Sequence, residues 1–449
     1  MNKPLKTTIY KLAPAVLISL IATALGLLSL FKSKVPMIQD FGLMLTIGIA
    51  IAFLLALFIL LPVLAIRTKL NEKDKKIVNK KTSKYVVVMK RITKGVLKFK
   101  YIIIVIALLL AGLGFFFDQK VGVETDMGTF MPQDSEALSD INELRDLIGS
   151  TDRIVLMYEA DDIEAYSVLV EVKAVTEMIK NDYNDNVMMV GSVSSILDMA
   201  STNSWNEVNY GVYLDQLPSE QLALVQSAEE NIGIVNISLA DMDDESFELF
   251  ITELNGSLTD LDLSFDVTIT GQSVVDQEML NSMTSDRLII TLISIMLVFF
   301  VLLVIYRNIF KSIIAILPII LIVGWSGGIM YALGFSYTPL TSTIGALIVG
   351  IGTEFTILIL MRYYELKKQS KNEEEAIINA VGLMSKPIIV SAITTIGGFS
   401  ALVFSDFQIL SNFGIMTLIN ISLALFSSIF VLPALLGAFG KKTKAIASS

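Results

Sequence analysis

The chain has 449 residues, a formal net charge of −10, and neither cysteine nor histidine. That excludes disulfides, thiol chemistry, cysteine-ligated metal and the usual histidine general base; no nucleophile stands paired with a base, so an enzyme is not expected. Apolar residues make up 53% and charged residues 17%, with a mean hydropathy of +0.67, which is a membrane-protein composition rather than a soluble one.

A bilayer-spanning helix needs roughly 20 mostly apolar residues. Eight stretches reach or approach that length: 12–30, 41–66, 101–117, 288–306, 312–333, 340–361, 387–404 and 413–439. Residues 1–11 lead into the first of them without a small-residue cleavage site, so no cleavable signal peptide is expected. After the second span, residues 67–100 carry 13 basic side chains against only Glu72 and Asp74, which assigns this linker to the cytoplasmic side. Arg307, Lys311, Arg362, Lys367, Lys368, Lys371, Lys386 and the tail lysines Lys441, Lys442 and Lys444 fall on the same side if all eight segments cross. The expected layout is two spans in 1–66, a basic linker in 67–100, one span in 101–117, an extracytoplasmic insert in 118–286, five spans in 287–439 and a tail in 440–449. Both termini are then cytoplasmic, in a multi-pass protein of the cell membrane.

The insert is strongly acidic, with runs such as Asp161-Asp162 and Asp241-Met242-Asp243-Asp244-Glu245. Its patterning predicts strands at 153–159, 187–190, 234–239 and 264–269, with helices at 137–148, 163–180 and 244–254. Two strand–helix–strand halves of this kind make a ferredoxin-like split βαβ module. The carboxylates read as a solvated face, because their spacing matches no cation site. No metal, cofactor or nucleic-acid partner is expected.

Within the spans one acid lies deep, Glu354 in the run Gly350-Ile351-Gly352-Thr353-Glu354-Phe355-Thr356. An ionised side chain at the centre of a bilayer costs about 2.5–3.5 kcal/mol on insertion scales, so such residues are functional candidates by default. A carboxyl in that setting is suited to gaining and losing a proton; the alternative is a static interhelical hydrogen bond. Gly345, Gly350 and Gly352 favour close helix packing on the same segment. In 387–404, Ser391, Thr394, Thr395 and Gly398 occupy one helical face, which Ser19, Thr23 and Gly26 repeat in the first span. These hydroxyls read either as packing positions or as a relay that bonds Glu354 directly or through water. Residues 372–383 form an amphipathic segment whose apolar side, Ile377, Ala380, Val381 and Met384, is expected along the membrane surface.

That shared face belongs to an internal repeat. Ser391, Thr395, Gly398, Leu402, Ser405, Phe413, Gly414 and Met416 align without a gap to Ser19, Thr23, Gly26, Leu30, Ser33, Phe41, Gly42 and Met44, at an offset of 372 residues. With a one-residue slip, Leu432-Pro433 matches Leu61-Pro62. One unit is therefore a span, an insert and five spans, and the first two spans are the end of a preceding unit. Four spans and one insert of that unit are expected as a missing first half or as a homologous subunit. Paired repeats in transporters build the pathway at their interface.

The run 350–355 followed by Arg362-Tyr363-Tyr364-Glu365 resembles the Gly-x-Gly-x-Asp-Tyr…Arg-Tyr pattern of RND (resistance-nodulation-division) superfamily transporters, nearest to the MMPL and hydrophobe/amphiphile efflux-3 branch. Ser391-Ala392-Ile393-Thr394-Thr395-Ile396-Gly397-Gly398-Phe399, Phe413-Gly414 and Leu432-Pro433-Ala434-Leu435 look like that branch's last two spans. Phe130-Met131-Pro132 with Asp134 resembles the start of its porter domain. The resemblance implies a helical polytopic protein with α+β porter domains, twelve spans in full, and export of lipids or other hydrophobic molecules driven by protons. It implies that Glu354 is the second-half proton-relay acid, although Glu stands for the family's Asp and Phe355 for its Tyr. Two further readings stay open: a SecDF-like accessory to protein export, and a sterol- or lipid-sensing membrane protein that does not transport.

Overall fold

The computed structural model describes residues 3–60, 62–63, 66, 84–124, 127–148, 152–201, 205–227, 231–240, 242–370 and 372–439. The chain divides into two compact units, residues 134–281 and the remainder. The basic residues predicted within 67–83, Asp241, Lys371, Leu61 of the second repeat match and the tail lysines lie outside the described residues.

Helix α1, Lys3–Leu28, turns through a short 3-10 segment into α2, Pro36–Leu55. The second half of the basic linker is helix α3, Lys84–Lys98, which leads into α4, Lys100–Asp118. Seven helices among the described residues are long and apolar enough to cross a membrane; the segment predicted at 12–30 falls in α1 and the 3-10 segment after it, where a shorter apolar stretch runs Val16–Lys32.

Residues 134–281 hold helix α5, Glu136–Ile148, and a sheet of strands β1 Arg153–Glu159, β2 Val187–Gly191, β3 Gln226–Ser227, β4 Ile232–Leu239 and β5 Asp266–Thr270. The strand order β2-β4-β1-β5 with every neighbour antiparallel is the ferredoxin-like arrangement, and β3 pairs the edge of β4. Burial alternates along β1 and β4, as a sheet with one covered face requires. Helices α6, Tyr166–Asp182, and α7, Asp244–Asp260, cover that face; Leu169, Val172, Ile179, Phe250 and Leu254 share one core with Ile154, Leu156, Val235 and Ile237. The predicted start of α6 at 163 moves to Tyr166, because Asp162 Oδ1 accepts from the Glu164 amide at 3.0 Å and holds 162–164 as a turn.

The chain continues with α8, Gln272–Tyr306, α9, Ile309–Ala332, α10, Ile344–Lys367, α11, Glu373–Val403, and α12, Gln408–Phe426, which runs on through a π-turn to Phe439. The amphipathic segment expected on the membrane surface is instead the first part of α11. Its apolar side, Ala376, Ile377, Ala380 and Val381, is buried, and α11 packs on α3. A methyl added at Gly382 would meet Lys90 Cγ at 2.9 Å, so the two amphipathic helices cover each other. Helices α4 and α9 cross more closely still. A Cβ on Gly114 would stand 2.0 Å from the Gly324 carbonyl oxygen, and Trp325 Nε1 donates to the Ala107 carbonyl at 3.1 Å.

Candidate functional site

Helix α10 is the most enclosed of the long helices, because small residues let its neighbours approach the backbone. On one side sits α1: Thr23 Oγ1 donates to the Gly350 carbonyl at 3.0 Å, and a Cβ on Gly350 would lie 3.0 Å from Thr23 Cγ2. Ser294 of α8 donates to the Gly26 carbonyl at 3.2 Å, joining a third helix to the same contact. A Cβ on Gly345 would lie 2.1 Å from Thr291 Oγ1, and one on Gly352 would touch Ile319 at 3.4 Å. The glycines singled out in the sequence are thus close-approach positions, and Thr23 is seated directly on the Gly350 turn.

One strip of α10 stays partly open. Ile351, Glu354, Leu358 and Met361 are half-buried among otherwise buried neighbours, and their spacing of three and four residues puts them on one face. Glu354 is therefore a carboxyl ten residues from the nearer end of a 24-residue apolar helix. No hydrogen bond or ion pair reaches it among the described residues. Phe355, the next residue, is buried.

The two threonines of the α11 stripe bond to their own helix. Thr394 donates to the Val390 carbonyl at 2.8 Å and Thr395 to the Ser391 carbonyl at 3.0 Å. Among the described residues none of these three reaches Glu354. Gly397 and Gly398 would meet nothing within 4 Å if given a side chain. The equivalent face of α1 is covered by α10, whereas this one is open.

A second polar cluster went unnoticed in the sequence. Arg287 Nη1 lies 2.9 Å from Asp118 Oδ2, with side-chain exposures of 12% and 7%. The same nitrogen donates to Tyr337 Oη at 2.8 Å, the guanidinium stacks 4.0 Å above that ring, and the Tyr337 hydroxyl donates to Asp118 Oδ1. Burial pushes the Tyr337 phenol up, Arg287 opposes it, and Asp118 adds to the rise, so the hydroxyl stays a neutral donor. Tyr337 is itself fixed by the backbone: its amide donates to the Gly122 carbonyl at 2.7 Å and its carbonyl accepts from Glu124 at 2.8 Å. Asp118 and Arg287 stand on the helices that enter and leave residues 134–281. Opposite charges at the two edges of one insert were the available signal.

A sequence profile of the MMPL family matches residues 129–448. A membrane protein of Methanocaldococcus jannaschii is 25% identical over 348 residues, 75% of this chain and 89% of that protein. The sulfolipid-1 exporter MmpL8 of Mycobacterium tuberculosis is 28% identical over 99 residues, which cover 22% of this chain and 9% of the exporter. Among solved structures, the hedgehog release protein Disp from the water bear Hypsibius dujardini superposes with a TM-score of 0.71 at 13% identity, over 96% of this chain and 59% of Disp. The chain therefore spans nearly all of the archaeal relative but little more than half of the animal structure.

Proposed function

The chain belongs to the MMPL family, a family of membrane transporters, and from that premise we propose that it forms part of a proton-driven exporter of lipids or other hydrophobic molecules. The observation that carries this reading is Glu354, a carboxyl without a partner on the open strip of an otherwise buried span. Holding it charged there costs about 2.5–3.5 kcal/mol. A second surface that closes over the strip while the acid is neutral, and releases it to water when charged, turns proton uptake into a change of packing.

That second surface is the preceding unit of the repeat, supplied as a first half or as a homologous subunit. Two openings in the structure support it: the strip at Ile351, Glu354, Leu358 and Met361, and the α11 face at Ser391, Thr395 and Gly398. Thr394, Thr395 and Ser391 serve as relay hydroxyls once that unit is in place, and Thr23, Gly350, Gly352 and Gly398 serve as close-packing positions. Both termini lie in the cytoplasm and the ferredoxin-like unit outside, where it handles the substrate. A sulfolipid exporter among the relatives supports a lipid-like substrate.

The test is export of a fluorescent lipid from vesicles that hold the chain with its partner unit. Adding a protonophore should stop export, whereas export that continues without a proton gradient would reject the reading.

A further inference from the structure

A small cavity between α10 and α12 has no part in the reading above. It encloses about 10 Å³ and is lined by apolar side chains, by the Ile351–Gly352 turn of α10, and by Thr417 and Asn420 of α12. Asn420 is 5% exposed, and neither its Oδ1 nor its Nδ2 meets a hydrogen-bond partner among the described residues. Exchanging the two atoms of the amide leaves both unpartnered, so the observation does not depend on how the group is turned.

Buried amides are ordinarily satisfied by protein or by ordered water. Thr417 lies one turn earlier on the same face of α12. It donates its hydroxyl to the Phe413 carbonyl at 2.7 Å, which leaves the oxygen's lone pairs to accept. A cavity of about 10–15 Å³ holds one water when polar groups line it. A lipid or a drug-sized molecule cannot fit. A metal cation would need six or so oxygens, far more than these two side chains offer.

We propose that Asn420 and Thr417 bind a single water molecule between α10 and α12, at the level of Glu354. Both helices begin at the same end of the bundle, where Gly122 bonds to Tyr337 and Gln133 to Asp406. At about 1.5 Å per residue, Glu354 lies about 15 Å along α10 and Asn420 about 18 Å along α12. Ile351 and Gly352 line the cavity and Glu354 follows within the next turn. The water is a hydrogen-bonding molecule at the depth of the acid, which does not itself line the cavity and which no side chain among the described residues reaches. Asn420 is a positioning residue, and its importance for coupling rests on the proton role proposed for Glu354; the binding of water does not.

The experiment is water-filtered solid-state NMR on the full chain, carrying isotope-labelled asparagine, in vesicles of phosphatidylcholine and phosphatidylglycerol. The side-chain amide signal that vanishes in Asn420→Leu should receive magnetisation from water; Asn420→Ser identifies the same signal should the leucine variant not fold. An Asn420 amide that receives none overturns the site. Water contact together with undiminished proton flux in Glu354→Gln would keep the site and remove the proton reading, and the reverse pair of results would do the opposite.

Discussion

Phe41 and Phe413 meet edge to face, their ring centroids 5.6 Å apart. They are equivalent positions of the internal repeat, 372 residues apart in sequence. Equivalent positions of the repeat thus touch each other in the folded chain. The turns behind them agree. A Cβ on Gly42 would stand 2.8 Å from Leu30 Cβ, and one on Gly414 would stand 2.9 Å from Leu402 Cβ. Ser33 accepts from the Val35 amide at 3.1 Å, and Ser405 accepts from the Phe407 amide at 3.3 Å.

Gly42→Ala and Gly414→Ala should therefore cost similar amounts, about 1–3 kcal/mol each from overpacking. Melting curves in detergent check this. A loss at only one of the two positions would mean that the hairpins are not equivalent.

The pair Asp118 and Arg287 is buried and hydrogen-bonded, so removing one partner strands the other. Asp118→Asn or Arg287→Met should destabilise by about 3–5 kcal/mol, and replacing both with apolar residues should recover most of the loss. A double-mutant cycle on detergent stability measures the coupling. Additive losses would show that the two charges do not act on each other.

In the ferredoxin-like unit Gly233 stands opposite Tyr158 across β4 and β1, and a Cβ there would come within 2.1 Å of the ring. Gly233→Ala must displace the tyrosine and should cost about 1–3 kcal/mol. Faster amide hydrogen exchange along β1 reports it, and unchanged exchange would contradict the close contact.

Burial pushes the Tyr158 phenol above its ordinary 10.0, and its hydroxyl has no partner among the described residues. The folded chain keeps this proton at pH values where the unfolded chain has lost it. Stability is thus unaffected below pH 10 and falls as pH rises above 10. Tyr158→Phe should remove that contribution to the alkaline slope without loss of stability at neutral pH. Denaturation across alkaline pH checks this, and an unchanged slope would rule it out.

The spans, the ferredoxin-like order and the repeat were legible in the sequence because each rests on a period or a spacing. Glu354 was legible because an acid amid apolar residues is costly. The buried side of α11 was misplaced because amphipathicity shows that a face will be covered and not by what; here α3 covers it. The Asp118–Arg287–Tyr337 cluster and the Asn420 cavity escaped because each forms from residues that only the packing brings together. The hydroxyls of Ser391, Thr394 and Thr395 share the expected face, yet a periodicity cannot say whether such groups bond to a neighbour or to their own helix.

The most direct test of proton coupling replaces Glu354 with Gln, which keeps the shape and removes the titration. In inverted membrane vesicles from the native cell, substrate-dependent proton movement should be abolished in Glu354→Gln and partly kept in Glu354→Asp, with the same amount of chain in the membrane. Undiminished proton movement in Glu354→Gln would contradict the account.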